Sequence, residues 1–392
     1  MPKDKIRHNI IKIYIFRFFR DFLLIAPILI PFYKSLQLSN TQIFTIQAIF
    51  SLSLFIFEIP SGYFSDRLGR RLTLIIGAFC LPIGLSFYAL GNTFGAFACG
   101  EAILGLGFAM CSGTESALIY DTLLKLKQTS VYHKIEGVAE FITRLGATAA
   151  AVLGGVLAQI FFRLPFYINI FTGVIMFITA LSLREAGQRR ISKEHPLKDM
   201  FNIIKYSLKH QEILSIIIFY SIMTASGLIS IWGYFLFLQK HGFPISGNGI
   251  WFAVFQLASG CGAVISHRVS AWLGRRNSYL LLLLLPLIFT ALAVSDRLWM
   301  IYLVFPNAFV WGFSLPFFLQ EVNKLITSDI RATVLSTGSM AGRILFVILS
   351  PLFGLLSDQI SLNAAFIGLS LVFILCFATG FQKLRKLLPN KL

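Results

Sequence analysis

Apolar residues dominate the chain in twelve runs, roughly 11–34, 41–63, 73–92, 95–120, 135–161, 164–183, 212–238, 248–272, 278–295, 298–323, 333–357 and 362–382. Each run approaches or exceeds the roughly 20 residues that a helix needs to cross about 30 Å of hydrocarbon. The polar connections are short, save for 184–210, which divides six runs from six. From Pro196 onward this stretch spaces Leu197, Met200, Phe201, Ile204 and Leu208 at helical intervals with lysines between them. That pattern predicts an amphipathic helix lying on a membrane face. The reading is an all-α integral membrane protein of twelve transmembrane helices: a six-helix bundle over 1–187, a linker over 188–210, and a second bundle over 211–392. No large soluble domain fits between the runs.

Composition agrees. Of 392 residues, 56% are hydrophobic and 13% charged, about half the charge of a soluble domain. The net charge of +17 raises nucleic acid as a partner, but its distribution argues against one. Lys and Arg crowd alternate connections, among them Arg67, Arg70 and Arg71; Lys125, Lys127 and Lys134; Arg275 and Arg276. The opposite connections hold only Lys34, Arg163, Lys240 and Arg297. This is the positive-inside bias. It predicts a multi-pass protein of the cytoplasmic (inner) membrane with both termini in the cytoplasm, its basic charge facing lipid headgroups. No cleavable leader is expected, because the first run is of span length and carries Arg17, Arg20 and Asp21. Cys80, Cys99, Cys111, Cys261 and Cys376 all fall in apolar runs without close pairing, and read as small hydrophobes, not disulfides or metal ligands. No metal site or cofactor is expected.

The most charged connection is GYFSDRLGRR, Gly62 to Arg71. A degenerate copy, AWLGRRNSYLL, places Gly274 205 residues after Gly69. Gly107-Phe108 and Gly312-Phe313 keep the same offset. The fifth run reads RLGATAAAVLGGVLAQ from Arg144 and the eleventh RILFVILSPLFGLLSD from Arg343, with the same eleven-residue step from Arg144 to Gly155 as from Arg343 to Gly354. Together these point to two parallel six-helix repeats related by an axis along the membrane normal.

The charged connection resembles the Major Facilitator Superfamily loop between spans two and three, Gly-x-x-x-Asp-Arg-x-Gly-Arg-Arg, here complete as Gly62, Asp66, Arg67, Gly69, Arg70 and Arg71. FEIPSG (57–62), SGTESALIYDTL (112–123) and RATVLS (331–336) are similar to a bacterial branch of that family. The resemblance implies that family's fold, a monomer, and a cytoplasmic latch formed by the loop residues with Asp121. It also implies that spans one, four, seven and ten line a cavity, so that Glu101, Glu115 and Glu321 face water. The second-half loop departs from the pattern, with His267 and Ala271 in place of the first Gly and the Asp. Span five has Ala151-Val152-Leu153 before Gly154-Gly155 and lacks the Gly-Pro step of many drug antiporters.

Charges inside apolar runs are costly and mark partners or pathways. Asp66 ends a helix whose own dipole repels it, so it needs a cation, and Arg70 is one turn on. Asp21 lies about ten residues into span one, with Arg17 one turn away and Arg20 adjacent. It reads either as a proton site or as a permanent pair with Arg17. With Glu101 and Glu115 it makes the proton-coupling candidates. Arg144 and Arg343 need anions; Glu140 and Glu136 lie one and two turns before Arg144, whereas Arg343 has no acidic neighbour in its own run. With Arg17, Arg20 and Glu321 they make the substrate-site candidates.

GxxxxGK[ST] does not occur, so drive by nucleotide hydrolysis is not expected, and the scattered His residues give no enzyme centre. The expected function is secondary active transport of a small organic solute by alternating access, as proton-coupled efflux. The alternative is proton-coupled uptake of a polar or anionic metabolite, favoured by the missing span-five proline.

Overall fold

The computed structural model describes residues 3–186, 210–325 and 328–387. The amphipathic helix expected over 188–210 therefore lies almost wholly outside the described residues. Within them every regular element is a helix, as expected where no water is available for backbone N–H and C=O groups. The helices are α1 (Lys3–Asp21), α2 (Leu29–Ser35), α3 (Asn40–Leu68), α4 (Arg70–Leu90), α5 (Phe94–Cys111), α6 (Thr114–Leu126), α7 (Tyr132–Ile160), α8 (Leu164–Ser182), α9 (Gln211–Lys240), α10 (Ile245–Leu281), α11 (Leu284–Ser295), α12 (Val304–Leu325), α13 (Ser328–Gln359) and α14 (Leu362–Leu387).

Among the described residues ten helical stretches are long and apolar enough to cross a membrane, and α11 is a shorter apolar helix. The differences from twelve unbroken spans have local causes. The first run is broken between α1 and α2 by a 3₁₀ turn over Ala26–Ile28 containing Pro27, which has no N–H to continue the ladder. The break is filled by Asn169 of α8. Its Nδ2 donates to the Phe22 carbonyl at 2.7 Å and its Oδ1 accepts from the Ile25 N–H at 3.3 Å. The fourth run breaks at Ser112-Gly113, Gly113 having φ +71°. The eighth and ninth runs meet inside α10, whose backbone leaves the helix only at Gly274 (φ +74°) before the chain restarts as α11.

The chain forms two compact units. The first holds the described residues of Met1–Leu36, Ile49–Glu194 and Pro244–Ile250. There α4 lies on α5 through Gly77, Gly84, Gly100 and Gly107, small residues that let two helix backbones close up. Around them Phe32, Tyr88, Phe97 and Phe166 form a buried aromatic cluster. The second unit holds those of Gln37–Ala48, His195–Phe243 and Trp251–Leu392. Its core is built on α9, with Phe219, Tyr279, Phe289, Phe313 and Phe373 buried. Two helices thus divide: the first residues of α3 belong with α13, and those of α10 with α7.

Candidate functional site

The connection between α3 and α4 is the single residue Gly69, whose φ of +105° disfavours a side chain. Arg70 opens α4 and faces back. Its guanidinium lies 2.6 Å from Asp66 Oδ1 and 3.4 Å from Asp121 Oδ2 on α6, and it donates to Ser65 Oγ at 2.9 Å. This is the cation that Asp66 requires at the C-terminal end of α3. Arg71 donates to the Leu181 carbonyl, and Arg67 to the Tyr63 hydroxyl beneath it. The sequence reading missed Glu185. Its carboxylate accepts from the backbone N–H of Arg70 (3.2 Å) and of Arg71 (3.0 Å). It supplies the N-terminal cap that Gly69 cannot, and a Cβ on Gly69 would meet Glu185 Oε2 at 2.5 Å. The available signal was an uncapped helix start; the basic surroundings of Glu185 hid it.

The second unit repeats the arrangement. Gly274 again has positive φ, and the next residue, Arg275, lies 2.5 Å from Glu321 Oε2 on α12. Tyr279 donates to the same oxygen at 3.4 Å. Glu321, a substrate-site candidate by sequence, is only 1% exposed and engaged by this pair.

The charges of span one converge on a buried cluster in the first unit. Glu115 Oε2 on α6 accepts from Arg20 Nη1 at 2.7 Å and forms an ion pair with Arg17, whose Nε lies 2.8 Å away. Arg17 Nη2 reaches Glu136 Oε1 on α7 at 2.7 Å and also donates to Ser116 Oγ, which donates to the same Glu136 oxygen. Arg20 Nε lies 2.5 Å from Asp21. Two readings change here. Asp21 pairs with Arg20 rather than with Arg17, because successive helical residues at the frayed end of α1 can turn toward each other. Glu136, which spacing offered to Arg144, pairs with Arg17. Within the cluster three carboxylates face two guanidiniums, and one oxygen each of Glu115 and Glu136 is buried without a hydrogen-bond partner.

Ser116 and Tyr132 also line a cavity of about 710 Å³ in the first unit, together with Asp66, Arg70, Tyr120, Asp121 and Lys125. Its wall runs from Asp66 and Arg70 of the charged turn to Ser116, the hydroxyl bonded to Arg17 and Glu136. Glu101 lies apart from it. It is buried on α5 and accepts from the Tyr88 hydroxyl, which contacts the Tyr33 hydroxyl at 2.7 Å. Arg144 pairs with Glu140 at 2.9 Å, both more than half exposed on α7 and remote from the cluster's contacts. Arg343 is half-buried on α13. Among the described residues no group of His, Cys, Asp or Glu could hold a metal ion.

A chain of long apolar helices with buried arginine–carboxylate clusters between them is a multi-pass membrane protein. Residues 13–348 match the Major Facilitator Superfamily, to which this chain belongs. It is 27% identical over 169 residues to the quinolone resistance protein NorA of Staphylococcus aureus, a match covering 43% of this chain and 42% of that relative's length. It is 24% identical over 328 residues to multidrug resistance protein 1 of Bacillus subtilis, covering 80% of each. Its fold matches a bacterial homologue of the human lysosomal transporter Spinster in an inward-facing, unoccupied conformation (TM-score 0.80, 16% identity, covering 100% of this chain and 99% of that one). It also matches the nucleoside transporter NupG (TM-score 0.78, 14% identity, covering 96% and 99%).

Proposed function

We propose that the protein is a secondary active transporter of the cytoplasmic membrane, both termini inside, that exports a small organic solute by alternating access in exchange for protons. One observation carries the proton coupling. In the cluster of Arg17, Arg20, Asp21, Glu115 and Glu136, carboxylates outnumber guanidiniums by one. A surplus carboxylate in a low-dielectric interior binds an exchangeable cation, and a proton is the smallest. The cavity wall at Ser116 gives that proton a route from the Gly62–Arg71 face. Residues 1–187 and 211–392 act as the two moving bundles, joined by 188–210. Gly62, Asp66, Arg67, Gly69, Arg70, Arg71 and Asp121 form the cytoplasmic latch, the role implied by the family loop and supported by Arg70's contacts with Asp66 and Asp121.

The names of the relatives point to export and make a quinolone the first probe. Purified protein in liposomes should accumulate it under an inwardly acidic gradient, and Glu115→Gln should remove that pH dependence. Quinolone flux that ignores the gradient in the wild type would end the coupling; no flux of any organic probe would end the transporter reading. Uptake of a polar metabolite is the second reading, favoured by Ala151-Val152-Leu153 in span five. Accumulation under the opposite gradient would select it.

A further inference from the structure

Near the end of α9, the start of α10 and the start of α12, aromatic and branched apolar residues of the second unit surround a cavity of about 20 Å³. That is room for one water-sized group. The floor is closed: Tyr234, Phe235, Phe255, Ile301 and Val304 are each at most 4% exposed. The rim is not, for Trp251 and Phe252 are half-buried. Trp251 meets the rings of Tyr302 at 5.6 Å and Phe305 at 5.9 Å edge-on, and both of these are exposed. The rim thus adjoins an exposed aromatic surface.

The polar atoms of this place set it apart from ordinary apolar packing. The Tyr234 hydroxyl is buried against the cavity and has no hydrogen-bond partner among the described residues. Asn307 is 0% exposed, and neither its Nδ2 nor its Oδ1 has a partner there. Helix register puts Asn307 beneath the same cavity. Tyr234 on α9 and Val304 on α12 line it together, and a Cβ on Gly227 of α9 would collide with the Trp311 ring of α12. Seven residues separate these two contacts on each helix, so α9 and α12 run antiparallel in step. Asn307, three residues after Val304 and four before Trp311, falls in the seam between them. Phe255 packs on Trp311 at 5.6 Å and closes the far side. The first unit shows the contrast. There the buried Tyr88 hydroxyl is bonded to Glu101 and contacts the Tyr33 hydroxyl at 2.7 Å. At the 205-residue offset of the repeats, Ala293 stands in the place of Tyr88.

Buried polar atoms nearly always have a partner. Three of them beside a void in an aromatic wall fit an occupant that brings a hydrogen-bonding group of its own. The walls also fix its character. No ionisable group other than the Tyr234 phenol lines the cavity, so a charged group would enter without a counter-charge. We propose that the second unit binds a neutral amphiphile between α9, α10 and α12, its hydroxyl or carbonyl tip seated against Tyr234 and Asn307. The void admits the tip, and the apolar remainder lies along Trp251 and Phe252 at the rim. The site is wholly within the second unit, separate from the cavity of about 710 Å³ in the first, and it stands whether or not the protein moves a solute.

Photolabelling of the whole 392-residue chain in liposomes tests this, with 1-octanol carrying a diazirine on its chain as the probe. Adducts should concentrate in peptides covering 231–238 and 251–255, saturate with concentration, and be displaced by excess 1-octanol but not by octanoate. Tyr234→Phe keeps the ring and removes the hydroxyl. It should raise the half-saturating octanol concentration about fivefold, in line with one lost hydrogen bond, and leave unchanged the labelling by a diazirine-bearing octane, which has no hydroxyl. Val304→Phe should fill the void and abolish saturable labelling; if that variant is not produced, the two probes on Tyr234→Phe decide alone. Adducts that fail to saturate and spread over the exposed helix faces would overturn the site, showing only partition into lipid. Equal octanol affinity of wild type and Tyr234→Phe would overturn it too, leaving water as the partner of that hydroxyl, and equal displacement by octanoate would overturn its neutral character.

Discussion

Arg17 on α1 and Glu136 on α7 are 119 residues apart in sequence and 2.7 Å apart in space, with Ser116 bonded to both. Three helices of the first unit are thereby joined at one guanidinium. Glu115, only 2% exposed, holds the same Arg17 from its other side. Glu115→Ala should leave two arginines short of their shared anion and destabilise the protein by about 3–5 kcal/mol, the usual result of removing one partner from a buried pair. Denaturant-induced unfolding in detergent, followed by tryptophan fluorescence, checks this; a loss under about 1 kcal/mol would show the cluster to be solvated.

Asp66 stands in contrast. Its side chain is 46% exposed and its bond to Arg70 spans a single turn. Asp66→Asn should change stability by less than about 1 kcal/mol and leave membrane insertion intact, while transport by reconstituted protein falls sharply. Full transport by that variant would remove Asp66 from the mechanism.

Glu185 predicts the converse. It contributes to structure by capping α4. Glu185→Gln should lower stability by about 1 kcal/mol, in the range of a lost helix cap, with pH dependence of transport unchanged. A shifted pH profile would place Glu185 in the coupling route instead.

The second unit has an acid-sensitive joint at Asp296, between α11 and the turn that follows. Burial alone would raise its pKa. The Lys240 ammonium, 2.5 Å away, together with Asn363 and His241, outweighs this and holds the carboxyl below its ordinary value. A carboxyl lowered by folding contributes stability above its unfolded pKa of roughly 3.9 and loses it as pH falls through the lower, folded value. Thermal stability of the wild type should therefore decline on acidification below about pH 4 more steeply than that of Asp296→Asn. Parallel curves would show the pair to be without effect.

Much of the helical plan is visible in hydropathy alone, because lipid leaves a backbone no alternative to internal hydrogen bonding. The breaks are less visible. Pro27, Gly113 and Gly274 stand in the sequence, but whether a proline or glycine interrupts a helix depends on what fills the gap, and Asn169 is 142 residues from Pro27. The charged turn was legible because Asp66 and Arg70 are one helical turn apart. Glu321 and Arg275 were each noticed, yet their union was not, since 46 residues separate them. Spacing within one helix assigned Arg144 to Glu140 correctly and Glu136 wrongly: it knows nothing of the neighbouring helix that brings Arg17 alongside. For the same reason Glu185, in the stretch entering the linker, carried no sign of its attachment to α4.

Asn169 bridges the break in the first helix. By offering one donor and one acceptor to the interrupted stretch around Phe22 and Ile25, a single amide from α8 serves as a splint across a fracture in the first helix. The two fragments, α1 bearing the ion cluster and α2 bearing Tyr33, are thus both anchored to α8 at a point that leaves no bare peptide exposed to lipid.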